Sequence, residues 1–354
     1  MSDGAGLAGG LACPVPLGAT AHVLLGHGSG GTLSAALLRE RFLPRFGNPA
    51  LAALGDAAVL DPPDGRLVVS TDTFVVSPLE FPGGNIGTLA VHGTLNDIAM
   101  MGATPFALAA GFVLEEGLPF AVLDRVLDSM AAAARAAGVP IVTGDTKVVE
   151  RSKADGMFVN TTGLGVQHDD FRPAPDRARP GDAVLVSGPI GRHGMAVMAV
   201  REGLEFDTTI TSDTACLVPL VAALRAACGD GVRVLRDPTR GGVATVLNEL
   251  AQASGVGIVL DEQSLPVPDA VGAACAVLGL DPLYVANEGI LVALVAAEHA
   301  DAALRTLRLH PLGAQATLIG TVADGPRGLV QMRTTIGGRR VVDQLPGDQL
   351  PRIC

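Results

Sequence analysis

The pattern of the chain breaks at residues 167–181, and no other feature constrains its fold as much. There the sequence turns polar and charged and carries three prolines, while on either side strand-like apolar runs alternate with helical periods. Two patterned halves joined by a linker imply two α+β domains, each a sheet covered by helices. A chain of 354 residues is long enough to bury both cores. The expected division is an extension at 1–20, a domain at 21–166, the linker at 167–181, a domain at 182–335 and a tail at 336–354. The extension is rich in Gly, Ala and Pro and is expected to be disordered.

In the first half a glycine-rich loop, Gly26-His27-Gly28-Ser29-Gly30-Gly31, precedes a helical pattern that runs to about Arg45. Residues 57–60 and 67–73 read as strands around a Pro-Pro-Asp-Gly turn, and 105–114, 139–143 and 157–166 as further strands. Helices are expected at about 85–101 and 118–137, the second with Leu123, Val126, Leu127, Met130 and Ala134 on one face. In the second half, strands near 183–187, 232–236, 257–260, 283–286, 290–296 and 317–322 alternate with helices near 195–203, 212–227, 242–254, 268–278 and 298–308.

Composition excludes several classes. The net charge of −11 argues against a nucleic-acid binder, which needs cations to displace phosphate counterions. No apolar run approaches the ~20 residues of a membrane helix. Nothing basic precedes His22, so the start does not resemble a targeting peptide. The five cysteines are odd in number, widely spaced and without a CxxC, which fits a reducing cytoplasm better than a disulfide framework or closed zinc site.

Four acidic residues follow small or polar neighbours: Gly55-Asp56, Thr71-Asp72, Asn96-Asp97 and Gly144-Asp145. A scattered set of this kind is how a Mg²⁺–nucleotide site is built, since Mg²⁺ takes a few carboxylates and completes its shell with water and phosphates. Asp at turns also has an ordinary role as a local cap. Lys147, just past Asp145, is one of only two lysines, so a compact ammonium is written where the chain otherwise writes arginine. The loop at 26–31 satisfies GxGxxG, yet it lacks a βαβ context and no Walker lysine follows it. It reads as a phosphate-covering loop built on Gly28, Gly30 and Gly31, or as a plain connector. Asp237-Pro238-Thr239-Arg240-Gly241-Gly242 follows a strand and opens a helix, which suits phosphate capture or simple capping. Glu288 lies between apolar strands, where a carboxylate needs a partner or a task. His27 and His92 are read as non-catalytic.

The chain ends Gln349-Leu350-Pro351-Arg352-Ile353-Cys354, a thiol at the end of a stretch without clear periodicity. From residue 342 it spans up to about 40 Å if extended. Such an arm suits a carrier that accepts a group in one place and offers it in another. The alternative is a frayed end with an accidental cysteine.

Gly55-Asp56-Ala57-Ala58-Val59, Ser70-Thr71-Asp72, Asn96-Asp97-Ile98-Ala99-Met100-Met101-Gly102-Ala103 and Gly144-Asp145-Thr146-Lys147 together resemble the ATP-binding half of the aminoimidazole-ribonucleotide-synthetase (PurM-like) superfamily. Ser77-Pro78-Leu79-Glu80-Phe81-Pro82-Gly83-Gly84-Asn85-Ile86-Gly87, Ala286-Asn287-Glu288-Gly289 and terminal Pro351-Arg352-Ile353-Cys354 resemble, within it, the HypE family of hydrogenase maturation proteins. The resemblance implies a two-domain PurM-like α+β fold, with a mixed or antiparallel N-terminal sheet and a flexible C-terminal tail. It implies homodimers pairing the N-terminal sheets, with ATP near the interface. It also implies an activity: Cys354 is carbamoylated by a HypF-type carbamoyltransferase, and ATP then drives dehydration to a thiocyanate. The nitrile passes through a HypC–HypD complex to the iron of [NiFe]-hydrogenase. On this reading Asp56, Asp72, Asp97 and Asp145 hold Mg²⁺ and ATP, with Asn96, Asp237 and Arg240 as weaker neighbours. Lys147 stabilises the activated oxygen, Glu288 is the base with Asp97 second, and Cys354 is the carrier. A purine-type or selenophosphate synthetase, or a non-catalytic scaffold, is the competing reading.

Overall fold

The computed structural model describes residues 20–204, 209–345, 347, 350 and 352–354. The expected extension therefore lies, apart from residue 20, outside the described residues. Two main sheets are present. The first has four strands in the order Arg66–Phe74, Met157–Gln167, Ala103–Glu115 and Ile141–Val149. It is antiparallel except for the last pair, which is parallel because helix Phe120–Ala137 carries the chain back across it. The predicted apolar face of that helix is buried, and Gly138 closes it in a left-handed conformation.

Helix Ile86–Met100 has almost no polar face, because it is buried between the first sheet and the second domain. Along Arg66–Phe74 the pleat turns Val68, Ser70, Asp72 and Phe74 toward this helix side and leaves Leu67, Val69, Thr71 and Thr73 exposed. One face of the first sheet is thus open.

The second sheet has seven strands, ordered Arg339–Val341, Val330–Arg333, Gly257–Asp261, Thr317–Ala323, Ala183–Val186, Val292–Val295 and Val232–Arg236. Alternate residues feed two cores. Val184, Val292 and Leu294 pack with helix Gly242–Ser254, while Leu185, Ala293 and Val295 pack with the core of helices Val218–Cys228 and Ala300–Leu309. The linker is not loose: Phe171 is buried against Ala99 and Met100, tying the first domain to the second.

Several expected boundaries move. Residues 57–60 form no strand; Val59 is 92% exposed and has no neighbouring strand to complete a ladder. Residues 282–284 form a single 3-10 turn capped by Asp281 rather than a strand. The helix expected from 212 begins only at Val218, leaving an extended segment before it. The strand expected at 139–143 runs on to Val149, so Asp145 and Lys147 lie within a strand and not at a turn. The second domain extends past 335, since Val330–Arg333 and Arg339–Val341 complete its sheet around Gly337. No helix among the described residues is long and apolar enough to cross a membrane.

The end of the chain, expected as a loosely held arm, is docked. Val342, Leu350 and Ile353 are buried. The Val75 amide donates to the Cys354 backbone oxygen (3.1 Å) and the Ser77 amide to that of Arg352 (3.3 Å), an antiparallel pairing that continues the edge strand.

Candidate functional site

Four segments and the docked tail converge on one cavity of about 360 Å³ lined by Asp72, Asp97, Asp237, Arg240, Glu288 and Cys354. Asp72 is delivered by the pleat of the edge strand. Asp97 projects from helix Ile86–Met100 and accepts a hydrogen bond from Ser70 Oγ at 2.6 Å. Asp237 and Arg240 occupy the turn between strand Val232–Arg236 and helix Gly242–Ser254, as the sequence predicts. Gly242 there has φ +61° and a missing side chain whose Cβ would meet the Leu283 carbonyl oxygen at 2.5 Å, so the turn requires glycine.

Glu288 sits on a clamped loop. Asn287, fully buried, donates from Nδ2 to the Pro238 and Val285 carbonyls and accepts from the Gly191 amide. The Glu288 and Gly289 amides both donate to Asp213 Oδ2, at 3.2 and 3.0 Å.

The electrostatics are lopsided. Burial, and then the nearby charge of Asp97, raise the Asp72 carboxyl to about 6, with Arg240 opposing. Burial and Asp97 likewise raise Asp237 to about 7. Glu288 is raised well above the ordinary carboxylate range by burial, then by Asp237, Asp213 and Asp72; a hydrogen bond with the Cys354 side chain works the other way. Burial also lifts Asp213 to about 6. Glu288 Oε1 and Asp213 Oδ1 are buried with no partner among the described atoms. Carboxylates crowded in this way are neutralised by protons or by a cation.

The remaining expected residues form a separate group. Asp145 and Lys147 lie on the opposite edge strand and pair with each other at 2.8 Å, which lowers the Asp145 carboxyl. Both are mostly exposed, so the pair itself adds little stability. The glycine loop lies across this strand. A Cβ at Gly28 would meet the Val148 amide nitrogen at 2.3 Å, and Gly30 and Gly31 adopt φ +82° and +76° with open space beyond them. Loop, following helix and strand enclose a second cavity of about 220 Å³, lined among others by His27, Ser34, Phe42, Phe112 and Asp145.

Within one protomer the two groups do not meet. Asp72 is level with Thr161, Ala110 and Gly144 across the sheet, so Asp145 lies three strands away and on the other face. At ~4.8 Å per strand that is roughly 14 Å. Two further expected residues lie apart from both cavities in this protomer. Asp56 occupies an exposed bend and lines neither cavity. Asn96 is 1% exposed, donates to the Ala215 carbonyl and accepts from the Leu217 amide, so it holds the segment before helix Val218–Cys228 in place. Asp213, Ser70 and the buried His193 were not singled out. Ser212-Asp213 has the same small-residue-then-Asp pattern as Thr71-Asp72 and was legible on that ground; His193 carried no comparable signal.

Residues 54–167 match the AIR synthase related protein, N-terminal domain, and residues 179–333 its C-terminal domain. The chain is 59% identical over 331 residues to the carbamoyl dehydratase HypE of Cupriavidus necator, covering 93% of this chain and 94% of that protein. A solved structure of the hydrogenase maturation protein HypE in complex with ATP has a TM-score of 0.90 at 50% identity, over 94% of this chain and 99% of that one. The matching chain of a HypE–HypF complex gives a TM-score of 0.77 at 48% identity, over 88% and 100% of the two chains.

Proposed function

Because the chain belongs to the AIR-synthase-related family, and within it to the HypE carbamoyl dehydratases, we propose that it binds ATP and dehydrates a carbamoyl group carried on Cys354. The observation that carries this reading is that Cys354 and the buried Glu288 line one cavity together with Asp72, Asp97 and Asp237.

The chemistry follows from what must leave. A thiocarboxamide loses water only if its oxygen departs as something better than oxide, and transfer of the γ-phosphoryl group makes it leave as phosphate. Two N–H protons also leave, one as C=N forms and one as C≡N forms. Glu288 takes the first role of base: it is next to the sulfur, shielded from water, and its proton affinity is raised by burial. Arg240, which lines the cavity, and the amides of the glycine turn beside it would hold the phosphates.

The donor set fits Mg²⁺. Asp72 and Asp237 are raised first by burial and then by the charge of Asp97, and a cation relieves that crowding of charge. Among the described residues no three acidic or His/Cys side chains hold an ion by themselves. Asp72, Asp97 and Asp237, which line one cavity, would share Mg²⁺ with phosphate oxygens and water, and the ion would offset charge on the transferred group.

Lys147, Asp145 and the glycine loop complete the site from a second copy of the chain. Their face of the sheet is open, with Leu67 58% and Val69 57% exposed, so pairing two such faces buries apolar surface and supplies the groups one protomer cannot bring together. Lys147 then stabilises the oxygen as it accepts phosphate. A HypF-type carbamoyltransferase loads Cys354 and a HypC–HypD complex receives the nitrile, in a cytoplasm reducing enough to keep Cys354 a thiol. A purine-type or selenophosphate synthetase makes no use of a cysteine docked against Glu288.

The test is mass spectrometry of the C-terminal peptide after incubation with carbamoyltransferase, carbamoyl phosphate and Mg-ATP. A carbamoyl adduct on Cys354 that loses one water only with hydrolysable ATP is expected. An unmodified Cys354 beside a demonstrably active transferase would overturn the assignment.

A further inference from the structure

We infer that His193 is a positioning residue that sets the register of the C-terminal arm so that Cys354 meets Glu288, an inference that rests on the dehydratase reading of that cavity. His193 lies in helix Arg192–Arg201 and is completely buried. It does not line the cavity, so the dehydration chemistry gives its imidazole no direct task.

Both ring nitrogens are engaged. Nε2 is 2.9 Å from the Ile353 carbonyl oxygen and Nδ1 is 2.8 Å from Ser212 Oγ. A carbonyl oxygen can only accept, so Nε2 carries the proton and Nδ1 accepts from the Ser212 hydroxyl. Ser212 Oγ accepts in turn from the Thr214 amide at 3.1 Å. The ring meets Phe81 edge-on, with centroids 5.3 Å apart, which fixes its plane. Burial lowers the imidazole to about 4, so the neutral ring persists through the neutral range.

The Ile353 carbonyl belongs to the last peptide plane of the chain. His193 holds the oxygen of that plane and the Val75 amide holds the backbone oxygen of Cys354 beyond it, so the Cys354 Cα, and with it the side chain, is located between two anchors. The other anchors near the end are more exposed: Arg201 donates to the Arg352 carbonyl at 2.5 Å, and Arg352 pairs with Asp155 at the surface. The bond from His193 is the buried one, where loss of a donor leaves a carbonyl unsatisfied.

The same loop also holds the base. Ser212 reaches the arm through His193, and the adjacent Asp213 accepts from the amides of Glu288 and Gly289. Residues 212–213 thus locate the sulfur and the carboxylate from a common mount.

The test uses the full-length chain, iodoacetamide and peptide mass spectrometry to measure the alkylation rate of Cys354 in wild type, His193→Phe and His193→Gln. Phe fills the space without a donor; Gln keeps an N–H. His193→Phe is expected to raise alkylation of Cys354 about tenfold, the factor that corresponds to ~1.4 kcal/mol. It should slow dehydration of pre-carbamoylated protein by a similar factor with the KM for ATP unchanged, and Gln should recover most of both. Equal alkylation in wild type and His193→Phe overturns the inference. So does a His193→Phe protein whose ATP binding fails in step with its turnover, since that marks a general loss of structure. Alkylation requires no turnover, so this inference and the dehydratase reading can fail separately.

Discussion

An alanine at position 289 would place its Cβ 1.7 Å from the Asp213 carbonyl oxygen, 2.6 Å from its carbonyl carbon and 3.0 Å from the Ala215 amide nitrogen. All three are backbone atoms, so no rotamer relieves the clash. The Glu288 loop and the 213–215 segment must part by about 1.3 Å before the worst contact reaches 3.0 Å. That movement stretches the bonds from the Glu288 and Gly289 amides to Asp213 Oδ2, now 3.2 and 3.0 Å, beyond hydrogen-bonding range. Bonds to a charged acceptor are worth ~1.5–3 kcal/mol each, so Gly289→Ala should cost about 3 kcal/mol or more in stability. A shift of about 1 Å at Glu288 should slow the chemical step on the order of 100-fold. Thermal unfolding reads the first effect, and single-turnover conversion of carbamoylated Cys354 to thiocyanate reads the second. ATP affinity should stay within about twofold, because the nucleotide groups lie on other elements. Wild-type stability together with wild-type turnover would refute the claim that this close packing positions Glu288.

Nucleotide-free protein should lose stability as pH rises through the acidic range. Asp72 and Asp237 titrate near 6 and 7 when folded, against about 3.9 unfolded, so the folded chain binds more protons between about pH 4 and 7. Melting temperature should fall across that window, and Asp237→Asn should flatten the profile; a rising wild-type profile contradicts the acidic-cluster account. Lys147→Ala and Cys354→Ala should each form no nitrile alone, yet a mixture of the two should recover up to about a quarter of wild-type turnover if Lys147 acts on the second copy's Cys354. No recovery after verified subunit exchange would place Lys147 in its own protomer's chemistry. Leu67→Glu, on the open sheet face, should yield monomers by analytical ultracentrifugation and abolish dehydration, whereas an active dimer would remove that face from the interface.

Much of the architecture follows from local order. Helix Phe120–Ala137 is visible in the 3.6-residue spacing of Leu123, Val126, Leu127, Met130 and Ala134, and the turn at 237–242 is visible in its Asp, Arg and paired glycines. Strand limits were less legible where polar residues continue a strand, as at Asp145 and Lys147, or where the partner strand is distant, as for Arg339–Val341. Those depend on pairing, which local composition does not encode.

The amino-acid sequence by itself determined the chemical inventory: carboxylates behind small residues, a sparing use of lysine, glycine turns for phosphate and a terminal thiol. Only the tertiary structure decided which of them meet. Strand register and pleat turn Asp72 toward Asp97 while leaving Asp145 three strands away on the other face. Packing of the 212–215 segment against the Glu288 loop recruits Asp213, and a buried imidazole recruits the end of the chain. Groups that meet here are far apart in sequence, Asp72 and Cys354 in one cavity and His193 against the Ile353 carbonyl 160 residues away, and no local period reports a contact of that range.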